Sequence, residues 1–207
     1  MLSFTDAERA LFEKLDTPAK VQDYLDTIPM NHESDGVDTV KSPVRVVHGN
    51  NAHCIEAAIL GAYILSLHGQ PPFLMYLKSS KEDFDHVIAP FKERGLWGAL
   101  SKTNHAVLRY REPVYKTIRE LVMSFFHEYT TDDGAKTLRA YSDLLDLRDF
   151  EPGWEVAELD LWGIDEELGK LEHHDIAPKE TIKQLRNADP IERKAGTLLE
   201  WNRPRKK

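Results

Sequence analysis

Cys54 is the single cysteine in a chain of 207 residues, so no intrachain disulfide forms, and its setting matters more than its scarcity. It follows Asn50-Asn51-Ala52-His53 and opens an apolar run that ends at His68-Gly69. That pattern predicts a helix with Cys54 in its first turn. There the positive end of the helix dipole stabilises a thiolate, the form that attacks an acyl carbon near neutral pH. Position alone suits a small buried hydrophobe equally well. An attacking thiol needs an imidazole to take its proton, and the imidazole needs a polar partner to fix its tautomer. Asp85-His86 stands at the start of one predicted strand. A second predicted strand, Leu96–Leu100, carries Trp97 and runs into Ser101-Lys102-Thr103-Asn104. His86 is therefore the candidate base. Asn104 is the candidate orienting group and Ser101 the weaker one, because a hydroxyl adds no charge opposite an imidazolium. An oxyanion hole would come from the Cys54 backbone N–H and a donor from the preceding loop, where His48, Asn50 and Asn51 lie. For both asparagines capping and turn formation is the simpler role.

The remaining polar clusters weigh less. His53 adjoins Cys54, but a helical direction would point it away from the thiol, so a cap or surface role is expected. His105 follows Asn104, and His127-Glu128 reads as a helix-end pair. Glu172-His173-His174-Asp175 has the composition of a metal site, yet adjacent histidines on a helix face different ways, so no metal site is expected. Arg109 and Arg111 share a face of an extended chain and suit a carboxylate clamp, although pairing with acids such as Glu112 or Glu120 is favoured. No phosphate-cradling glycine motif occurs, and no cofactor is expected.

The elements that must position these residues follow from local signals. Thr5 or Asp6 caps a helix to about Leu15. Thr17-Pro18 opens another, with Val21, Tyr24, Leu25 and Ile28 at helical spacing and Pro29 as its stop. Residues 31–43 read as a polar loop and 44–47 as a short strand. Asn50 or Asn51 is expected to cap the cysteine helix, which is apolar nearly all round and therefore buried, and Gly69 to end it. Residues 73–77, 86–91 and Leu96–Leu100 read as strands, with Glu93-Arg94-Gly95 as a turn. Residues 106–110 read as a further strand. Pro113 is expected to open a long amphipathic helix through Leu121, Val122, Phe125 and Phe126 to about Tyr129. Beyond Glu151 residues 154–161 read as an edge strand, followed by charged helical segments and a basic end, Arg203-Pro204-Arg205-Lys206-Lys207, expected to be solvated. The expected division is a core domain, 1–150, and a C-terminal extension, 151–207.

Composition narrows the function classes. The chain is 41% hydrophobic and 30% charged, in the globular range. Its 27 basic and 35 acidic residues give a net charge of -8, which argues against a nucleic-acid or anionic-membrane binder. Asp6, Glu8 and Glu13 interrupt any secretory signal core, and the apolar run near residues 55–67 is too short to span a membrane. A cytoplasmic protein is expected.

Two stretches carry a family resemblance. NAHCIEAAILGAYILSLHGQPPFLMYL, residues 51–77, resembles the cysteine helix, turn and strand of the transglutaminase-like superfamily within the papain-like fold. DHVIAPFKERGLWGALSKTN, residues 85–104, is similar to its histidine strand, turn and tryptophan-bearing strand. The resemblance implies an α+β fold in which a buried cysteine-bearing helix packs on an antiparallel sheet. It implies Cys54 as nucleophile, His86 as general base and acid, and Asn51, Trp97 and Ser101 as neighbours of the bound substrate. The activity implied is thiol-dependent acyl chemistry on a peptide, protein or small amide, with hydrolysis preferred over transamidation. The family places an aspartate where this chain has Ser101, leaving Asn104 as the nearest amide. Two other classes stay open: an inactive binding module on the same fold, and a metal-dependent hydrolase built from the histidines.

Overall fold

A computed structural model describes residues 2–33 and 36–201. Helix α1, Asp6–Lys14, begins with a capping box in which Thr5 and Glu8 satisfy each other's backbone N–H groups. Helix α2, Pro18–Thr27, has Thr17 as its cap and proline at its first position. Both meet the expectation from sequence. Residues 44–47 do not: they belong to helix α3, Pro43–Gly49. Ser42-Pro43 is the same cap-plus-proline signal that opens α2, and it overrides the strand preference of three valines. Asn50 ends α3 in the left-handed region at φ 47°.

Helix α4, Cys54–Leu67, is the central element. His53, not either asparagine, occupies the cap position. Ile55, Ala58, Ile59, Leu60, Ala62, Ile64 and Leu65 are all buried, as a helix apolar on every side requires. Gly69 follows the end of the helix at φ 83°.

Helix α4 packs across an antiparallel sheet. Its strands are β1 (Phe73–Ser79), β2 (His86–Glu93), β3 (Leu96–Leu100), β4 (Arg111–Tyr115), β5 (Leu138–Ser142), β6 (Leu145–Asp146) and β7 (His173–Asp175). The spatial order is β4-β3-β2-β1-β5-β7, and β6 pairs with β1. Arg94 and Gly95, both at positive φ, make the tight turn between β2 and β3, the geometry that matches strand twist. Alternate strand residues divide between two cores. Leu74, Val87, Ala89, Phe91 and Leu100 join α4 on one face. Met75, Leu77, Ile88 and Ala99 pack with Leu121, Val122, Phe125 and Tyr129 on the other.

The remaining corrections lie after β3. Residues 106–110 form a loop, and the next strand is β4. Pro113 sits inside β4, whose burial alternates with period two, so the long helix expected from it shrinks to α5, Ile118–Met123, capped by Thr117. The apolar residues beyond α5 are buried through turns instead. Residues 154–161 contain a short 3-10 turn, Trp154–Val156, and the sheet edge there is β7. Helix α6, Trp162–Lys170, buries Ile164 and Leu168 in the α4 core. Helices α7 (Lys179–Ile182) and α8 (Pro190–Gly196) follow. The basic end, 203–207, lies outside the described residues. Among the described residues no helix is long and apolar enough to cross a membrane.

Candidate active site

Cys54 is half-buried at the start of α4. Its surroundings are set by Glu56, whose side chain is fully buried. Glu56 accepts from the His53 backbone N–H (3.0 Å), the Thr39 hydroxyl (2.7 Å), the Lys41 N–H (3.1 Å) and the Asn31 amide (3.2 Å). The Lys41 ammonium lies 3.6 Å away. One carboxylate thus both closes the helix cap and ties the preceding loop over it.

His53 takes the cap position of α4, one of the two roles expected of it. As the cap residue it has extended backbone, φ -99° and ψ -170°, so its side chain leaves in a non-helical direction. Its Nε2 lies 2.8 Å from the Thr39 carbonyl, which only accepts, so Nε2 carries the hydrogen. The sequence did hold one signal for this placement: His53 and Glu56 have the spacing of a capping box.

His86 is the first residue of β2, paired with Leu77 of β1 and only 7% exposed. Its Nε2 lies 2.8 Å from the Ser101 hydroxyl oxygen. That hydroxyl donates to the Leu108 carbonyl at 2.5 Å, so Ser101 accepts from His86 Nε2–H and Nδ1 is the nitrogen left for Cys54. Ser101 is held from the other side by α2: buried Gln22 accepts from its N–H and donates to its carbonyl, both at 3.0 Å. Leu108 is a non-glycine residue at φ 61°, a costly conformation that aims its carbonyl at Ser101. Its N–H donates to Glu128 at 2.8 Å, and Glu128 is paired with Arg111 at 2.5 Å. Arg111 also lies over the Phe125 ring.

Both imidazoles act on the thiol. Burial pushes its pKa up, but the hydrogen bonds and positive charge of His53 and His86 outweigh that and bring it to about 5. Burial likewise disfavours the His53 cation, and the Cys54 hydrogen bond and charge, with Glu56 behind, raise it to about 9. Both shifts favour the thiolate and the imidazolium, the charge state suited to nucleophilic attack.

Other residues singled out in the sequence lie elsewhere. Asn104 does not orient His86. Its amide donates to the Trp201 carbonyl at 2.9 Å and accepts from the Trp201 N–H at 2.8 Å, so it ties down a distant segment of chain. Trp97 sits at the turn end of the β2–β3 hairpin, opposite Lys92 and away from His86. Asn51 receives the Lys41 ammonium on its side chain and on its carbonyl. Arg109 pairs with Glu200 at 2.5 Å, so neither arginine of the suggested clamp is free, and their acids are Glu200 and Glu128. His174 lies on β7 against Asp143. Among the described residues no group of three His, Cys, Asp or Glu side chains converges as a metal site.

A cleft of about 560 Å³ opens beside His53 and Asp85 and is floored by Tyr76, Lys78 and Ser79. Phe84, 88% exposed, stands at its edge.

The fold and site together define an α+β protein in which a cysteine-bearing helix packs on an antiparallel sheet whose second strand presents a histidine. Among solved structures, LapG of Legionella pneumophila matches with 19% identity and a TM-score of 0.38. The match covers 44% of this chain and 59% of LapG, so the chain spans less than two thirds of that protein. No protein-family model matches the chain, and no curated protein matches its sequence.

Proposed function

We propose that this protein cleaves amides through a thioester on Cys54, in the manner of transglutaminase-like cysteine enzymes of the papain-like fold. The observation that carries the reading is a partly buried cysteine in the first turn of α4, with a buried histidine on β2 whose Nε2 is fixed by Ser101, and a thiol that His53 and His86 lower to about 5. The Cys54 thiolate attacks the carbonyl carbon. A C–S bond forms and the carbonyl π pair moves to oxygen, near the Cys54 N–H, which has no intrahelical acceptor at the first helical position. When the carbonyl re-forms, the C–N bond breaks and the amine leaves with a proton from the His86 imidazolium. Water then attacks the thioester while giving a proton back to His86, and the C–S bond breaks to release a carboxylic acid and the thiolate. An amine in place of water would give transamidation, and hydrolysis is the preferred outcome. The substrate class is a peptide, protein or small amide, and the chemistry needs no metal or organic cofactor.

The test is a peptide-amide library digested by wild type, Cys54→Ala and His86→Ala, with mass spectrometry for acyl adducts on Cys54. Cleavage in wild type, an adduct on Cys54 and loss of cleavage in both variants are expected. No cleavage and no adduct, together with a thiol that alkylates like free cysteine, would overturn the reading. One observation favours a second reading, an inactive binding module: the partner of His86 is a neutral hydroxyl. In that case Cys54→Ala leaves partner capture unchanged.

A further inference from the structure

The cleft beside His53 and Asp85 touches the chain neighbours of both Cys54 and His86, so whatever occupies it lies next to the reacting groups. One rim inverts the usual partition of side chains. In the turn that leads into β2, the two acids are bonded to the fold: Asp83 accepts from the buried Thr137 hydroxyl at 2.5 Å, and Asp85 from the Ser79 N–H at 2.6 Å. Phe84, between them, stands in water at 88% exposure, and among the described residues no large apolar side chain is more exposed. Its backbone is nonetheless fixed at both polar groups. The Phe84 N–H donates to Asp83 at 2.8 Å, and its carbonyl accepts from the hydroxyl of buried Tyr129 at 2.6 Å. A phenyl ring held in solvent on an anchored backbone adds nothing to the core, and only its own two torsions remain to be ordered when something covers it.

Resting on the reading of Cys54 as nucleophile, we propose that Phe84 determines specificity, and that the substrate is an extended polypeptide whose apolar side chain, next to the scissile amide, packs on the Phe84 ring. The length of the cleft favours a polypeptide over a small amide. Its lining follows β1 from Tyr76 to Ser79, about 10 Å of extended chain at about 3.3 Å per residue, which matches about three substrate residues. Its charges do not select a sign, because Lys78 and Lys81 share it with Asp38, Asp83 and Asp85. The exposed ring is therefore the group that discriminates. Phe84 precedes His86 by two residues, so the side chain it covers belongs to a residue close to the bond being cut. Burying the two apolar surfaces against each other supplies binding that a glycine at the same substrate position lacks.

The experiment is steady-state cleavage of paired peptides by the full chain, wild type and Phe84→Ala, with thermal unfolding in the same buffer. Each pair is a peptide cut from a random library and its counterpart with the residues flanking the cut changed to glycine; small amides are run beside them. Wild type is expected to favour the apolar member of a pair by about 10–100-fold in kcat/KM. Phe84→Ala should bring that ratio close to one, raising KM for the apolar peptide more than it lowers kcat, while Tm stays at the wild-type value. Damage to the fold alone would slow both members of a pair alike, so the ratio separates the two effects. Should Phe84→Ala unfold early, Phe84→Gln is read for the same ratio. A wild type without apolar preference, a preference that survives the loss of the ring, or cleavage of small amides but of no peptide overturns the proposal and leaves the amide-cleaving reading standing. No cleavage of any amide and no acyl adduct on Cys54 overturns both.

Discussion

Replacing Ser101 by alanine removes two hydrogen bonds at once, the 2.8 Å bond from His86 Nε2–H and the 2.5 Å bond to the Leu108 carbonyl. Ser101 is 2% exposed and His86 7%, so water does not replace the lost hydroxyl readily. A buried polar group left unpaired costs about 1–3 kcal/mol. Leu108 is only partly buried and its carbonyl can recruit solvent, so the His86 N–H carries most of the penalty. The expected loss of stability is about 2–3 kcal/mol, a fall in Tm of about 4–12 °C for a domain of this length. The free imidazole then chooses its own tautomer and rotamer, and acid–base catalysis worth about 10²–10⁴ is forfeited in part. A drop in amide cleavage of about 10–100-fold is the expected reading. Ser101→Asp tests the same geometry from the other side. It places a carboxylate beside His86, but an ionised carboxylate only accepts, and the Leu108 carbonyl already faces that position. Ser101→Asp should therefore cleave more slowly than wild type. The assay is calorimetric unfolding together with cleavage of whichever amide the library identifies. A Ser101→Ala protein with wild-type Tm and rate, or a Ser101→Asp protein faster than wild type, would refute the reasoning.

Other consequences can be checked as directly. The Cys54–His53 pair sets a pH dependence of stability, measured as the difference in unfolding free energy between wild type and Cys54→Ala. The thiol, lowered from 9.0 to about 5, contributes stability that is lost as pH falls through about 5; His53, raised from 6.5 to about 9, contributes stability that is lost as pH rises through about 9. Counting protons, the unfolded chain binds one more than the fold between about 5 and 6.5, and the same number from 6.5 to about 9. The difference should climb over the first interval and stay level over the second, and a continued climb above 6.5 would contradict the paired state. Asn104→Ala should release the segment around Trp201, seen as faster hydrogen exchange at residues 104–106 and 198–201, with Cys54 alkylation unchanged within about twofold; a large loss of thiol reactivity would return Asn104 to the site. Gly98→Ala would set a methyl 2.5 Å from the Phe91 ring and 2.6 Å from the Arg111 carbonyl oxygen, so a loss of about 1–3 kcal/mol is expected by denaturant unfolding, and an unchanged midpoint would contradict that packing.

Local chemistry in the sequence determined much of this protein. The caps at Thr5 and Thr17, the left-handed glycine after α4 and the tight turn at Arg94-Gly95 act over a few residues, and each forms where its signal stands. The same holds for the α+β character, for the buried helix that begins at Cys54 and for the strand that begins at His86, because period and composition report burial directly. Tertiary structure decided which polar groups meet. In the β2–β3 register Ala89 pairs with Leu100, so the next step sets Ser101 opposite Ile88 and diagonal to His86, within reach of its ring. Asn104 lies beyond the strand and is claimed by Trp201, a partner 97 residues away that no local pattern announces. His53 is held as an extended cap because Glu56 takes its backbone N–H and the Thr39 carbonyl, brought in by a loop, takes its ring. Pro113 became a strand residue for the same kind of reason, because pairing with β3 outweighs a local propensity, whereas residues 44–47 became helix through a local signal, Ser42-Pro43, that outweighs the strand preference of the valines.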